Sequence, residues 1–350
     1  MKMKTLVVDK GGELSVRETK VPEYNECQAL VKTLSCGVCN GTDLKLIQGS
    51  FKGFGEERYP LMLGHEAVGR VIETGSKVTS FKEGDIVLLP FADANEDFDS
   101  GWGAFSEYGV VCDPAAYLAN GVCPGTPEFP EHSFAQQVVP EFIDPVEAAV
   151  IITLREVLSS IKRFGIKEND SIAVFGCGPV GLTFVKFMHI LGVNPIIAFD
   201  IMDEKVEEAR AMGAEYAYNS KNADVASLVR EICPEGVKYV LDAAGISQLI
   251  NQAMGIIKDQ GKICCYGIAP NLSMNLDWSD APYNWHLHFQ QFPSKYEESL
   301  AHNQIIAWIK DGIIDLKDFI SDIYHFDNIL DAFKKLENKQ ITKKCIIRYE

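Results

Sequence analysis

Hydrophobic and polar residues follow two different patterns along the chain, and the change falls near residue 150. Before it, short runs of alternating or β-branched residues recur between turn signals: TLVVDK, LSVRET, ALVKTLS, EAVGRVIETG, DIVLLP and SEYGVVC. Short strands at such intervals are typical of an all-β barrel or sandwich. We therefore expect a β domain in the N-terminal part of the chain.

After residue 150, strand-like and helix-like segments alternate. The strand-like runs are SIAVFG, PIIAFD, KYVLDAAG and KICCYG. The helix-like runs are VGLTFVKFMHILG, DEKVEEARAMG, ADVASLVREIC and SQLINQAMGIIKD. This alternation predicts a doubly wound α/β domain, in which helices cover both faces of a parallel sheet.

Two other stretches have less regular patterns. Residues 113–140 are rich in proline and have little periodicity, which predicts a long loop or lid. The C-terminal tail contains two helical patterns, NQIIAWIKDGI and FDNILDAFKKLENK, and ends in the strand-like KKCIIRYE. Periodicity alone does not assign this tail to either domain.

Composition excludes several classes of partner. The net charge of −16 opposes binding to a phosphate backbone, so we expect no nucleic-acid partner. No apolar run approaches the roughly 20 residues that span a bilayer, and the N-terminus lacks the features of a signal peptide. We expect a cytoplasmic protein whose ten cysteines are reduced, with Cys264 and Cys265 in a buried strand.

The segment SIAVFGCGPVGL contains a glycine motif between a strand and a helix. Gly176, Gly178 and Gly181 form G-x-G-x-x-G, and Pro179 and Val180 open the helix. The first glycine permits a tight turn, the second lets the backbone approach a pyrophosphate, and the third lets helix and strand pack closely. We interpret these five residues as a dinucleotide-binding turn, with a purely structural turn as the alternative.

An acidic residue supports this interpretation. Asp200 ends the next predicted strand, where a carboxylate accepts hydrogen bonds from an adenosine ribose. It would repel a 2′-phosphate, so the sequence favours NAD over NADP. Lys205 is the nearby basic residue; it is a candidate contact for the cofactor, and the alternative is that it solvates one face of a helix.

A second group of candidate residues lies in the β domain. Cys39 belongs to SCGVCNGTDLKLIQG, and His65 and Glu66 belong to PLMLGHEAVGRVIETG. A thiolate, an imidazole and a carboxylate are ligands that hold zinc, and three protein ligands with one open position are typical of a catalytic site. The alternatives are a buried or redox-active thiol at Cys39 and a structural turn histidine at His65.

The segments CGVCNGTDL, GHEAVGRVIETGSKVTSFKEGDIV, GAFSEYGVV and GCGPVGL, together with the acid at Asp200, make the sequence similar to a known family. It resembles the zinc-containing medium-chain dehydrogenase/reductase family, and within it the polyol (sorbitol-type) dehydrogenases. The resemblance implies a GroES-like catalytic barrel at residues 1–153, a Rossmann NAD-binding domain at 154–288, and a tail at 289–350 that completes the catalytic domain.

The resemblance also implies roles for individual residues. Cys39, His65 and Glu66 would be the zinc ligands, although in related enzymes the carboxylate can stand just outside the ligand sphere. Thr42 would pass the substrate proton toward solvent, with a turn-capping threonine as the alternative. Asp43 would orient the ligand histidine.

The sequence departs from the family pattern near Cys39. Relatives usually read C-G-T-D after the ligand cysteine, whereas here Asn40 precedes Gly41 and shifts Thr42 by one position. Lys45 stands where many relatives have a histidine at the end of the proton relay.

Two further departures concern metal ligands. The segment PFADANEDFDSGWGAFSEY lacks the four cysteines that hold a structural zinc in many relatives, so we expect one zinc, at the catalytic site. Sorbitol-type relatives often have Glu-Pro-Leu near the end of the first domain, where this chain has Ile152 and Thr153. Glu156, one helical turn further on, is a candidate substitute, with an ordinary helix residue as the alternative.

These observations lead to one functional hypothesis with two alternatives. We expect reversible oxidation of a secondary alcohol (a polyol, sugar or cyclitol) with one zinc ion and NAD as the hydride acceptor. The alternatives are a zinc-free quinone- or enoyl-type reductase that uses NADPH, and a redox-silent NAD-binding module. The resemblance further implies a homo-oligomer, a dimer or tetramer.

Overall fold

The computed structural model describes residues 1–269 and 273–350. The strands are β1 Lys2–Val8, β2 Leu14–Lys20, β3 Gln28–Val38, β4 Leu61–Met62, β5 Glu66–Thr74, β6 Ile86–Leu88, β7 Asp99–Ser100, β8 Tyr108–Cys112, β9 Val138–Val139, β10 Ile172–Phe175, β11 Ile196–Asp200, β12 Tyr216–Asn219, β13 Val237–Asp242, β14 Ile257–Cys265, β15 Trp285–Phe289, β16 Ile320–His325 and β17 Lys344–Arg348.

The α-helices are α1 Asp43–Ile47, α2 Pro114–Ala119, α3 Val150–Phe164, α4 Pro179–Ile190, α5 Asp203–Ala211, α6 Val225–Ile232, α7 Ser247–Met254, α8 Lys295–Lys310 and α9 Ile329–Glu337. Short 3₁₀ helices occupy Glu56–Arg58, Glu131–Ala135, Glu147–Ala149, Leu316–Phe319 and Phe326–Asn328. Within the described ranges, no helix is long and apolar enough to cross a membrane.

The described residues divide into two compact units. The first comprises Met1–Arg155 and Ser294–Glu350, and the second comprises Glu156–Pro293. One boundary in the chain falls within α3, and the other falls just before α8. In the first unit, β17 pairs antiparallel with β3, in the register Cys345↔Val38. The C-terminal strand is therefore part of the same unit as the N-terminal strands.

Two sheets form the first unit. One has the strand order β2-β1-β4-β7, and the other has the order β16-β17-β3-β5-β6-β9, with β8 also paired to β3. The long strand β3 lies at the centre of the second sheet because it pairs with β5, β8 and β17. Its inward side chains join a buried apolar cluster with Val71, Val87 and Val111. This β architecture positions the residues that follow β3 and precede β5.

The second unit contains a parallel sheet with the order β12-β11-β10-β13-β14-β15. Side chains from its strands and helices form a buried apolar core that includes Phe175, Ile197, Val240 and Ile263. The chain leaves β10 toward β11 on one side and returns to β13 on the other. In such sheets ligands bind at the carboxyl ends of the strands on either side of this reversal. The α/β fold class expected from the sequence, a GroES-like β domain with a Rossmann domain, is confirmed.

The predicted helix SQLINQAMGIIKD is wrong in its last part. Helix α7 ends at Met254, and Ile257 begins strand β14, where it pairs with Val237 of β13. A run of apolar residues satisfies a helix pattern and a buried strand equally well, so only the pairing with β13 decides between them. The strands β12, β15 and β16 are short and of mixed polarity, and their pairing with β11, β14 and β17 defines them.

Residues 113–140 contain more secondary structure than the predicted loop, namely α2, a 3₁₀ helix and β9. Asp113 is fully buried and accepts a hydrogen bond from the backbone N–H of Ala115, which caps helix α2. The same carboxylate accepts hydrogen bonds from Thr79 and Ser80. These bonds stabilise a short helix that hydrophobic periodicity does not reveal, because the decisive contacts are polar and distant in sequence.

Candidate active site

The three predicted metal ligands lie together at neighbouring ends of β3 and β5. Cys39 follows the last residue of β3, and His65 precedes Glu66, the first residue of β5. Because the two strands pair antiparallel, with Gly37 opposite Glu66, the end of one meets the beginning of the other. One potential ligand atom from each of the three side chains lies within 4.8 Å of the other two.

This geometry fits a zinc ion. Ligand atoms of a tetrahedral zinc lie about 3.5 Å apart for Zn–N and Zn–S bonds of ordinary length, and the three candidate atoms lie within 4.8 Å of one another, close to that spacing. Among the described residues, this is the one group of three such ligands. Cys36, the other cysteine of the C-x-x-C pair, lies inside the sheet, and burial raises its pKa well above the usual value. Cys39 is partly exposed and is therefore the better candidate.

Asp43 lies beside His65, the residue that the resemblance implies it orients. The Asp43 side chain is fully buried; its Oδ2 accepts a hydrogen bond from the backbone N–H of Cys39 at 2.9 Å, and its Oδ1 lies 3.4 Å from His65 Nδ1. Burial opposes protonation of His65, but Asp43 and Cys39 together raise its pKa well above the usual value. Negative groups that favour a proton on the imidazole also favour a metal cation beside it.

A buried ion pair that the sequence did not reveal holds Glu66. Lys344 Nζ, on β17, lies 2.9 and 2.7 Å from the two oxygens of the Glu66 carboxylate, and both residues are buried. Thr153 Oγ1 donates a longer bond, of 3.4 Å, to Oε1. Gly37 makes room for this carboxylate, since a Cβ there would collide with it. The carboxylate is thus anchored on one side and lies 3.9 Å from His65 Nε2 on the other.

The residues at the Glu-Pro-Leu position have different environments. Ile152 is fully buried, whereas Thr153 reaches the Glu66 carboxylate. The chain therefore has a hydroxyl next to the metal-ligand candidates at the position where relatives have proline. The suggestion that Glu156 substitutes for the missing glutamate stays a prediction.

Thr42 lies at the start of α1 and is buried, but its side chain makes no capping hydrogen bond. Its hydroxyl is therefore not used as a helix cap, which was the alternative to a role in proton transfer. Asn40, the extra residue, is exposed in the turn, so the turn accommodates it on the solvent side. Lys45 is partly buried, and burial lowers its pKa despite the opposing influence of Cys39.

The glycine motif of the second unit forms a turn between β10 and α4. Gly176 has a φ of +93°, a conformation that favours glycine. A Cβ at Gly181 would collide with the carbonyl oxygen of Gly176, so this glycine allows the close packing expected of the motif. A Cβ at Gly178 would meet no atom within 4 Å, which leaves open space in front of the turn. Pro179 and Val180, the first residues of α4, are partly exposed beside it.

Asp200 ends β11 and lies next to this turn. Its Oδ2 accepts a hydrogen bond from the Cys177 N–H at 2.7 Å, and its Oδ1 accepts one from Met202 N–H at 3.0 Å. Lys205 is largely buried and its Nζ lies 2.6 Å from Glu208 Oε2. The interpretation of Lys205 as a solvated residue on a helix face is therefore wrong, because the ammonium is paired with a carboxylate on its own helix.

Comparison with known proteins assigns both units to described families. The model of the alcohol dehydrogenase GroES-like domain matches residues 25–121, and the model of the zinc-binding dehydrogenase matches residues 179–291. Together they span more than half of the chain. Sorbitol dehydrogenase of Bacillus subtilis (strain 168) is 25% identical over 365 residues, covering 98% of this chain and 96% of the relative.

Two solved structures have the same fold. An alcohol dehydrogenase from Escherichia coli CFT073, complexed with NADH, has a TM-score of 0.78 and 21% identity and covers 99% of both chains. The 2R,3R-butanediol dehydrogenase of Bacillus subtilis has a TM-score of 0.79 and 20% identity, covering 99% of this chain and all of the other. At this identity the structural likeness establishes the fold alone.

Proposed function

Because the chain belongs to the zinc-containing medium-chain dehydrogenase/reductase family, we propose that it is a zinc-dependent, NAD-linked dehydrogenase of secondary alcohols of the polyol, sugar or cyclitol class. The relatives are alcohol and polyol dehydrogenases, so the chain is an oxidoreductase of that kind. The observation that carries the proposal is the convergence of Cys39, His65 and Glu66.

The residues present would hold both groups that this activity needs. Cys39, His65 and Glu66 would bind zinc, and the turn of Gly176, Gly178 and Gly181 with the start of α4 would bind the NAD pyrophosphate. When bound, zinc supplies Lewis-acid polarisation of the substrate hydroxyl and NAD supplies the hydride acceptor. Asp200 would accept hydrogen bonds from the adenosine ribose, and Pro179, Val180 and Lys205 stay proposed neighbours of the cofactor.

The chain's own residues prepare the site for this chemistry. The Asp43 carboxylate, whose Oδ1 lies 3.4 Å from His65 Nδ1, would orient the ring so that Nε2 is left for the cation. Lys344 holds the Glu66 carboxylate and offsets its charge. Thr42 Oγ1, which makes no capping bond, would accept the substrate proton as its own hydroxyl proton passes on toward solvent. Glu66 is also proposed to act in catalysis, because its carboxylate would hold the cation and balance part of its charge.

The metal is the point at which the proposal is tested. The purified chain should hold about one zinc ion, as expected for a single three-ligand catalytic site, and should reduce NAD with alcohols from a panel. Cys39→Ser should lose both the zinc and the activity, measured by elemental analysis and by NADH absorbance. Cys123→Ser is the matched control, since Cys123 is an exposed thiol, and should retain both.

Two results would contradict the proposal. A zinc-free chain that reduces quinones or enoyl substrates with NADPH would be the reductase alternative. Tight NAD binding with no turnover of any alcohol would indicate the redox-silent module. We also propose, on the family resemblance, a cytoplasmic homo-oligomer; a monomeric mass by sedimentation equilibrium would overturn the oligomeric part.

A further inference from the structure

Three aromatic side chains of the first unit lie beside the metal-ligand candidate His65. The Trp102 ring centroid lies 5.3 Å from that of His65. Phe54 lies 5.8 Å from Trp102, and Phe51 lies 6.4 Å from Trp102 and 5.6 Å from Phe54. All three aromatic rings are partly exposed. We call Phe51, Phe54 and Trp102 the aromatic wall.

A charged pair lies against Phe54, one ring of the wall. The Arg58 guanidinium lies 4.3 Å from the centre of the Phe54 ring. Its Nε and Nη2 donate hydrogen bonds of 2.8 and 2.7 Å to the two oxygens of Asp99. A planar guanidinium that is held at both nitrogens and lies over a ring restricts the motion of that ring. The wall is therefore a preorganised surface.

The backbone at Trp102 is strained in a way that favours this arrangement. Trp102 has a φ of +69°, in the left-handed region that large side chains rarely adopt. Its carbonyl accepts a hydrogen bond of 3.0 Å from the N–H of Ala92, and Gly103 continues the left-handed turn. Strained residues persist where the surrounding structure holds them, and they cluster at functional sites. The strained turn places a large indole next to His65, where glycine would have no strain.

We propose that the aromatic wall selects the substrate: it binds the flat face of a ring, so that the enzyme prefers cyclic secondary alcohols to open-chain polyols. This inference rests on the proposed function. An open-chain polyol carries hydroxyls on every side, and those pressed against phenyl and indole faces would lose water without gaining a partner. A cyclic alcohol keeps its hydroxyls at the rim and packs an apolar face of C–H groups on the wall.

The test uses two matched pairs of substrates with the zinc-bound full chain. Myo-inositol and sorbitol have the same number of carbons and hydroxyls, and cyclohexanol and 3-hexanol likewise differ in ring closure. We expect the cyclic member of each pair to have the higher kcat/KM. Trp102→Gly should reduce this preference about 10-fold, mainly through KM, because a ring-stacking contact is of that size.

The choice of variants separates recognition from folding. Glycine suits the positive φ, so Trp102→Gly removes the ring without backbone strain. Trp102→Phe should keep most of the preference because it retains a flat face. Phe54→Leu, which keeps apolar volume but loses the ring, is a second variant that should lower the preference. Phe142→Ala is the control, since Phe142 is an exposed phenylalanine of the same unit, and it should change nothing.

Different failures have different signatures. If the wild type oxidises both members of each pair with equal kcat/KM, or if Trp102→Gly lowers both members equally while zinc is retained, the wall is a structural support of His65 and the inference is wrong. If the wild type holds no zinc and oxidises none of the four alcohols, the proposed function is wrong and the inference is overturned with it.

Discussion

The glycine turn of the second unit and the metal-ligand cluster of the first are built in opposite ways. The turn of Gly176, Gly178 and Gly181 is formed by one short segment, and its binding surface consists of backbone atoms and the open space in front of Gly178. The cluster brings together Cys39 and Glu66, and it is supported by Lys344, which is distant in the chain. Its arrangement depends on the buried ion pair between Glu66 and Lys344. The conformation of a local backbone motif depends mainly on its own residues, whereas a set of buried charges is stable only when every charged partner is present.

This difference has an energetic consequence. A buried ion pair is costly to break, because removal of one partner leaves a charge without compensation in a poorly solvated place. A glycine turn is sensitive mainly to added volume at the positions where another chain segment is close. We therefore expect the largest losses of unfolding free energy when side chains are removed in the first unit. Substitutions that add atoms in the second unit should have smaller effects.

The largest effect should come from Lys344→Met. It leaves the buried Glu66 carboxylate without its cation, and we expect a loss of about 3–5 kcal/mol of unfolding free energy, measured by urea denaturation. Zinc content, measured by elemental analysis, should change as well, because the Glu66 carboxylate, released from Lys344, is then free to move toward the zinc ion. A wild-type stability for Lys344→Met would show that the pair contributes nothing to folding.

The double variant Glu66→Met with Lys344→Met is the control for this experiment. Replacing both members of a buried pair by apolar residues is often nearly neutral, so this variant should recover most of the stability but bind zinc less tightly than the wild type. If it is as unstable as Lys344→Met, lost packing rather than unpaired charge explains the defect.

His302, a buried histidine of the first unit, provides a test of whether buried charge also affects stability outside the metal-ligand cluster. His302, on α8, is buried, and its Nε2 donates a hydrogen bond of 3.1 Å to the carbonyl of Val138. Burial, together with Arg155, lowers its pKa to about 4. The unfolded chain therefore binds a proton at a higher pH than the folded chain, and stability falls as the pH drops through the range between the two pKa values.

Between about pH 6.5 and pH 4, we expect the wild type to lose about 3 kcal/mol more than His302→Gln does. Urea denaturation at a series of pH values measures this difference. Parallel curves for the two proteins would mean that His302 does not carry the acid sensitivity, and that buried charge matters chiefly at the metal-ligand cluster.

Gly181→Ala and Gly178→Ala form a matched pair in the second unit. The first places a Cβ against the carbonyl of Gly176, and we expect a loss of about 1–3 kcal/mol by urea denaturation. In the second, the added Cβ has no atom within 4 Å, and Gly178 has a φ of −66°, which alanine adopts readily, so stability should be unchanged. Its Cβ would enter the space proposed for the pyrophosphate, so calorimetry should show weaker NAD binding. Equal stability of the two variants would contradict the packing argument.

The smallest effect should come from Asp200→Asn. This change removes the charge that repels a 2′-phosphate and keeps one acceptor oxygen, which serves either the Cys177 N–H or the Met202 N–H, each of which bonds a different oxygen of Asp200. We expect the preference for NAD over NADP to fall about 10-fold, or roughly 1.4 kcal/mol, as the ratio of the two kcat/KM values. Asp203→Asn, an exposed neighbour, should not alter the ratio. An unchanged ratio in Asp200→Asn would mean that another residue selects the cofactor.

Much of the fold could be predicted because its signals are local. The alternation of strands and helices after residue 150 and the glycine motif at Gly176 each occupy a short continuous segment. The end of α7 and the strands β12, β15 and β16 could not be predicted, because pairing with neighbouring strands determines them. Lys205 was misread because the sequence shows its spacing from Glu208 but not its burial.

The sequence by itself determined the change from a β pattern to an alternating α/β pattern, the fold class and the identity of the ligand candidates. Hydrophobic periodicity, glycine conformation and the chemistry of Cys39, His65 and Glu66 are properties of residues in short segments. Only the tertiary structure decided that Lys344 neutralises Glu66 and that Trp102 lies against His65. Those contacts join residues far apart in the chain, and the pairing of β17 with β3 and the left-handed turn at Trp102 that create them leave no periodic trace in the sequence.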